Sequence, residues 1–162
     1  DHKYVYSHFG YNLKATDMQA AVGCAQLKKF PSFVERRIHN FNYLREALKG
    51  TEDKLILPTA CENSRPSWFG FLITCKEGVD RNAVVQYVEK KGVQTRMLFA
   101  GNLTKHPCFD QMRAENRGYR VVGDLKNTDR IMQDTFWVGV YPGMSDEMID
   151  YMAATIREAI NQ

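Results

Sequence analysis

Apolar positions along the chain fall into two textures that change near residue 50. In the first part, Thr16 and Gln19 have the spacing of a capping box, with the hydroxyl taking an orphan backbone N–H and the Gln side chain reaching back to the Thr N–H. A helix is predicted from Thr16 to Phe30, built on the small residues Ala20, Ala21, Gly23 and Ala25. Pro31 suits the first turn of a second helix, where its missing N–H does no harm. Val34, Ile38, Phe41, Leu44 and Leu48 then make one apolar stripe, and Gly50 is a stop.

Beyond residue 50 the pattern mixes strands and helices. Lys54–Pro58 and Ser67–Cys75 are rich in β-formers; Asp80 caps a helix carrying Val84, Val85 and Val88, and Gly92 closes it before the strand "VQTRMLF". A strand in "TFWVGVY" leads through "PGMSDE" to a last helix. There Ser145 is the cap, Asp146 and Glu147 favour the positive end of the dipole, and Ile149, Met152, Ala153, Ile156 and Ile160 face inward. No internal repeat and no low-complexity segment interrupts this. The expectation is an α+β fold: a linker segment and two-helix arm over 1–50, then a small, mainly antiparallel sheet with flanking helices over 51–162.

With 162 residues and 44% apolar content the chain can bury one sizeable core. A net charge of +3, scattered along the chain, argues for neither nucleic acid nor a membrane surface. No apolar run approaches the roughly 18 residues that would span a bilayer, and the N-terminus lacks a signal-peptide core. Cys24, Cys61, Cys75 and Cys108 contain no C-x-x-C pair, so reduced thiols of a cytoplasmic protein are expected. A start at Asp1 without Met suggests a fragment or processed product.

The motifs of nucleotide loops, zinc helices and nucleophile elbows are all missing from the sequence. His2, His8, His39 and His106 have no i, i+4 histidine partner, so no self-contained zinc site is expected, and His39 is expected at the surface or packed. Asp124, Asp129 and Asp134 lie in a polar stretch that has the character of a solvated face. Three stretches carry chemistry instead. Asn12 precedes a helix N-terminus, where backbone N–H groups favour an anion. Arg96 leaves a strand and is followed in a loop by Asn102, Lys105 and His106, which gathers anion ligands. Trp137, Tyr141, Pro142 and Gly143 crowd aromatic and turn residues at a strand end.

In order, "GYNLKATDMQAAVGCAQLKKF", "PSWFGF", "TRMLFAGNLTKHP" and "DTFWVGVYPGMSDEM" resemble the DegT/DnrJ/EryC1/StrS sugar aminotransferase family, and within it the branch that deoxygenates CDP-4-keto-6-deoxyglucose at C-3. The resemblance runs from Asp1 to the last helix. It implies the C-terminal small domain of a fold-type I, PLP-dependent homodimer acting on a nucleotide sugar. In that branch PMP is the working form of the cofactor, a histidine replaces the usual Schiff-base lysine, and electrons arrive through a [2Fe–2S] cluster from a flavin/iron–sulfur reductase. Asn12 would reach the cofactor phosphate of the neighbouring subunit. Arg96, Asn102 and His106 would line the sugar-nucleotide side, Arg96 as the diphosphate ligand because its planar fork matches phosphate oxygens. Trp68 and Phe69 would wall the cofactor or substrate, while Trp137 and Tyr141 are expected to pack and Lys14 to be solvated.

Two departures limit what this chain can do alone. The family's catalytic Lys or His and its C-x-C-containing cysteine group lie upstream, and neither is here. No catalytic residue and no iron–sulfur ligand is therefore assigned, and no cofactor is expected on this chain by itself. A fragment of a PLP-dependent nucleotide-sugar aminotransferase and a stand-alone, non-catalytic nucleotide-sugar or partner-binding domain remain as alternatives. The small residues after Asn12 fit either close packing of the linker helix or plain helix propensity.

Overall fold

The structure is a computed structural model that describes residues 5, 7–11 and 13–162. The chain divides into two compact units, Asp1–Phe33 and Val34–Gln162.

The capping box forms as the spacing predicts. The Thr16 N–H donates to Gln19 Oε1 at 2.9 Å, and the Gln19 N–H donates to Thr16 Oγ1 at 3.3 Å. They open helix α1, Asp17–Ala47, which runs through Pro31 without a break. The expected two-helix arm is thus one helix. A proline inside a helix removes one ladder bond and crowds the preceding turn. Here the hydroxyl of Ser32 donates to the Lys29 carbonyl at 2.8 Å within that turn, and only the one N–H is lost.

In the second unit, strands β1 (Leu55–Ile56), β2 (Gly70–Cys75), β3 (Thr95–Met97) and β4 (Thr135–Gly139) form one sheet in the order β1-β2-β4-β3, every neighbouring pair antiparallel. Side chains alternate between its faces. Phe71, Ile73, Phe136 and Val138 enter the core. The cross-strand neighbours Leu72, Trp137 and Arg96 share the opposite face.

The core face is covered by helix α2 (Arg81–Lys90), by helix α5 (Asp146–Ala159) and by the second half of α1. Asp80 Oδ1 accepts from the N–H groups of Asn82 and Ala83, and Ser145 Oγ accepts from Met148 N–H at 3.3 Å, so both caps form as the sequence predicts. Phe41, Leu44 and Leu48 are buried, with Phe41 stacked at 4.8 Å on Phe71 and at 4.5 Å on Trp68. Trp68 is therefore a core-packing residue. The helix ends are capped reciprocally: Arg157 of α5 donates to the Ala47 carbonyl at 2.9 Å, and Lys54 Nζ donates to the Ile160 carbonyl at 2.8 Å.

The stretch from 100 to 134 holds more structure than a loop. Two short turns, Leu103–Lys105 and Pro107–Phe109, precede helices α3 (Asp110–Glu115) and α4 (Lys126–Asp134). Among the described residues no helix is long and apolar enough to cross a membrane.

Candidate functional site

The arrangement around Trp137 begins with glycines. Gly70 pairs with Gly139 across β2 and β4, and a Cβ on Gly70 would sit 2.7 Å from Trp137 Cε3. The absent side chain lets the indole lie over β2. Its Nε1–H donates to the Met97 carbonyl at 3.1 Å, and Phe69 meets it edge-on at 5.5 Å. Arg96 is the cross-strand neighbour of Trp137, is exposed, and makes no hydrogen bond or ion pair among the described residues.

These groups border a groove of about 530 Å³ that opens where β3 begins, between residues 92–96, the end of β4 and the first turns of α5. Arg96, Trp137, Gly139, Tyr141 and Tyr151 line it, with Gln94 and Glu147 as further polar groups. Tyr151 donates its hydroxyl to the Lys91 carbonyl at 2.8 Å, which fixes the ring. The hydrogen bond from Ser145 holds the Glu147 carboxyl below the usual range. Trp137 and Tyr141, expected only to pack, are thus groove walls.

The connection "YPGMSD" that carries Tyr141 is held from α1. Buried Asn40 donates Nδ2–H to the Tyr141 carbonyl at 2.7 Å. Arg36 donates to the Met144 carbonyl at 2.7 Å and to Asp146 Oδ1 at 2.8 Å, and His39 Nε2–H reaches the same Asp146 oxygen at 3.0 Å. The hydrogen bond from His39, joined by Arg36, keeps the Asp146 carboxyl below the ordinary aspartate range. Sequence reasoning missed Asn40 and Arg36. They stand over a hundred residues from their partners, and a polar position on an otherwise apolar helix stripe was the one available signal.

The other predicted residues are placed as follows. Asn12 lies outside the described residues. Phe69 and Arg96 are brought together through Trp137. Asn102 is buried, and its amide ties its loop to α4: Oδ1 accepts from Thr104 N–H at 3.1 Å, and Nδ2–H donates to Asp129 of α4 at 2.7 Å. His106 donates Nε2–H to the Ala100 carbonyl at 2.6 Å. Asp129 corrects the expectation of a solvated face, because Lys105 Nζ at 2.8 Å and then Asn102 hold its carboxyl below the usual range. No polar cue in "KNTDRIMQD" marks that pairing, whose partners come from the preceding loop.

The small antiparallel sheet, covered on one face by helices and entered by α1, has the fold of the C-terminal small domain of a fold-type I, PLP-dependent transferase. The E. coli GDP-4-keto-6-deoxy-D-mannose-3-dehydratase with bound hydrated PLP matches it with a TM-score of 0.79 at 26% identity, over 94% of this chain and 38% of that one. Residues 1–157 match the DegT/DnrJ/EryC1/StrS aminotransferase family, to which the chain belongs. It is 52% identical over 160 residues to the lipopolysaccharide biosynthesis protein RfbH of Salmonella typhimurium, covering 98% of this chain and 36% of that protein. It is 48% identical to the dTDP-4-dehydro-2,6-dideoxy-D-glucose 3-dehydratase of Saccharopolyspora spinosa, covering 99% of this chain and 34% of the relative. The chain therefore spans about a third of the length of these curated relatives.

A pyridoxal group and the iron–sulfur cluster that the sequence resemblance implies make different demands on the residues around them. The groove offers one cation, Arg96, and no lysine or histidine to stand at the position of the family's Schiff-base residue. Among the described residues no three His, Cys, Asp or Glu side chains converge as metal ligands. Cys24, Cys61 and Cys108 are exposed, and burial, chiefly, pushes the Cys75 thiol up to about 11, the reverse of what a thiolate ligand needs. These residues do not fit either group.

Proposed function

We propose that this chain is the C-terminal part of a PMP/PLP-dependent, iron–sulfur-assisted nucleotide-sugar 3-dehydrase, which removes the 3-hydroxyl of a CDP-4-keto-6-deoxyhexose in the making of lipopolysaccharide dideoxysugars. The reaction class is supported by the 48% identity to a nucleotide-sugar 3-dehydratase over 99% of the chain. In this reading the cofactors, the proton-transfer group and the contact with an electron-supplying reductase belong to parts of the protein outside these residues. The protein works as a homodimer, with Asn12 directed to the cofactor phosphate of the neighbouring subunit.

What this chain supplies is substrate placement, and the observation that carries it is Arg96. An arginine with no side-chain partner among the described residues, lining an aromatic groove, presents a planar fork to the diphosphate oxygens. Phe69 takes a share through Trp137. Asn102 and His106 act one step back, shaping the loop that follows β3.

The test is Arg96→Ala in the full-length protein, with nucleotide-sugar binding followed by calorimetry. The expected loss is about 10- to 100-fold in affinity, the scale of one charge-assisted contact, with the thermal midpoint unchanged because Arg96 is exposed. Unchanged affinity would remove the groove from the substrate site.

A further inference from the structure

Resting on the reading of Arg96 as the phosphate ligand, we infer that the groove beside it is a nucleobase subsite, in which a flat heteroaromatic ring lies against Trp137 and over the backbone of Gly139. Four observations carry this. First, the volume of about 530 Å³ falls within the roughly 300–1,000 Å³ of small-ligand clefts. Second, its walls are aromatic and preset. Trp137 is fixed by Gly70, Phe69 and the Met97 carbonyl, and Tyr151 by the Lys91 carbonyl. The Tyr141 ring folds over Gly143, where a Cβ would lie 2.9 Å from its Cε2. Rings already held in place lose little freedom when a ligand stacks on them.

Third, Gly139 leaves the floor open. It stands two residues from Trp137 on the same strand face, and a Cβ built there meets nothing within 4 Å. Among the described residues no packing demands a glycine at this position, and its bare backbone admits the face of a flat ring. Fourth, the polar groups are few and suited to a base edge. The Gln94 amide offers both a donor and an acceptor and makes no hydrogen bond among the described residues, and Glu147 accepts from ring N–H or amino groups. The Glu147 carboxylate repels a diphosphate, which leaves Arg96 as the phosphate end and the α5 side as the base end.

The test uses the full chain with CDP, GDP and inorganic pyrophosphate as probes, each titrated by calorimetry and by tryptophan fluorescence. Gly139→Val adds a β-favouring side chain into open space, so the fold is retained and the floor is filled. It should weaken CDP and GDP by about tenfold or more, the scale of one base–aromatic stack, and leave pyrophosphate unchanged. Arg96→Ala should weaken all three. In the unaltered chain CDP and GDP, but not pyrophosphate, should quench the indole emission. Should Gly139→Val lose its fold, that quenching comparison decides alone. If CDP binds Gly139→Val as it binds the parent, or if no quenching accompanies its binding, the base subsite is overturned while the phosphate reading stands. If Arg96→Ala also binds every probe unchanged, both readings fall.

Discussion

Asn40 shows how a single buried amide can set a site it does not touch. Its Oδ1 has no partner among the described residues, so its place on α1 is sustained by the Nδ2–H bond to the Tyr141 carbonyl. One turn earlier, Arg36 and His39 close on Asp146. That carboxyl titrates below the ordinary aspartate range in the folded chain, so the pair contributes stability that is complete above the unfolded value and is lost as pH falls through the lower folded one. The thermal midpoints of the parent and Asp146→Asn should therefore differ most above the ordinary aspartate value of about 4 and converge as pH falls below it. A gap that stays constant across that span in a pH series would show that the Asp146 charge contributes nothing.

Within α1, one element serves two roles. Residues 41, 44 and 48 of the stripe are buried in the sheet unit, Leu44 at 0% exposure, whereas Val22 in the first half is 63% exposed. Leu44→Ala should cost about 2–5 kcal/mol by denaturant unfolding, and Val22→Ala no more than about 0.5 kcal/mol. Equal effects would mean that both halves are packed alike. The stripe, the Asp80 and Ser145 caps and the strands were legible in the sequence because each leaves a local mark: helical spacing, a capping side chain, a run of β-formers. Helices α3 and α4 were not. Neither has a side-chain cap, α4 starts from Leu125 at φ +53, and neither buries a residue fully, so no capping residue and no deeply buried apolar stripe marks them. Pro31 misled for the opposite reason, being a strong local signal overruled by the ladder on either side. Arg96 was expected to leave a strand and instead stands in the middle of β3, lining the groove, while the Gly70–Trp137 and Asn40–Tyr141 contacts join distant segments and leave no spacing to find.

At the scale of the molecule, all the buried hydrophobic residues of the described chain lie between Phe41 and Ile160, inside the unit Val34–Gln162. The groove, the hold on Tyr141 and the reciprocal helix caps lie there too. Because the buried core of the described residues belongs to this one unit, a chain trimmed to 34–162 should still unfold in one cooperative transition. Its midpoint should lie within about 5 °C of the parent, the shift that roughly 1 kcal/mol produces in a domain of this size. It should also keep the nucleoside-diphosphate affinity of the longer chain, because Arg96 and Gly139 belong to the retained unit. A broad, non-cooperative melt would instead make the first 33 residues part of what holds the sheet together. A cooperative melt with lost affinity would put a ligand contact in the removed segment, the one that carries Asn12.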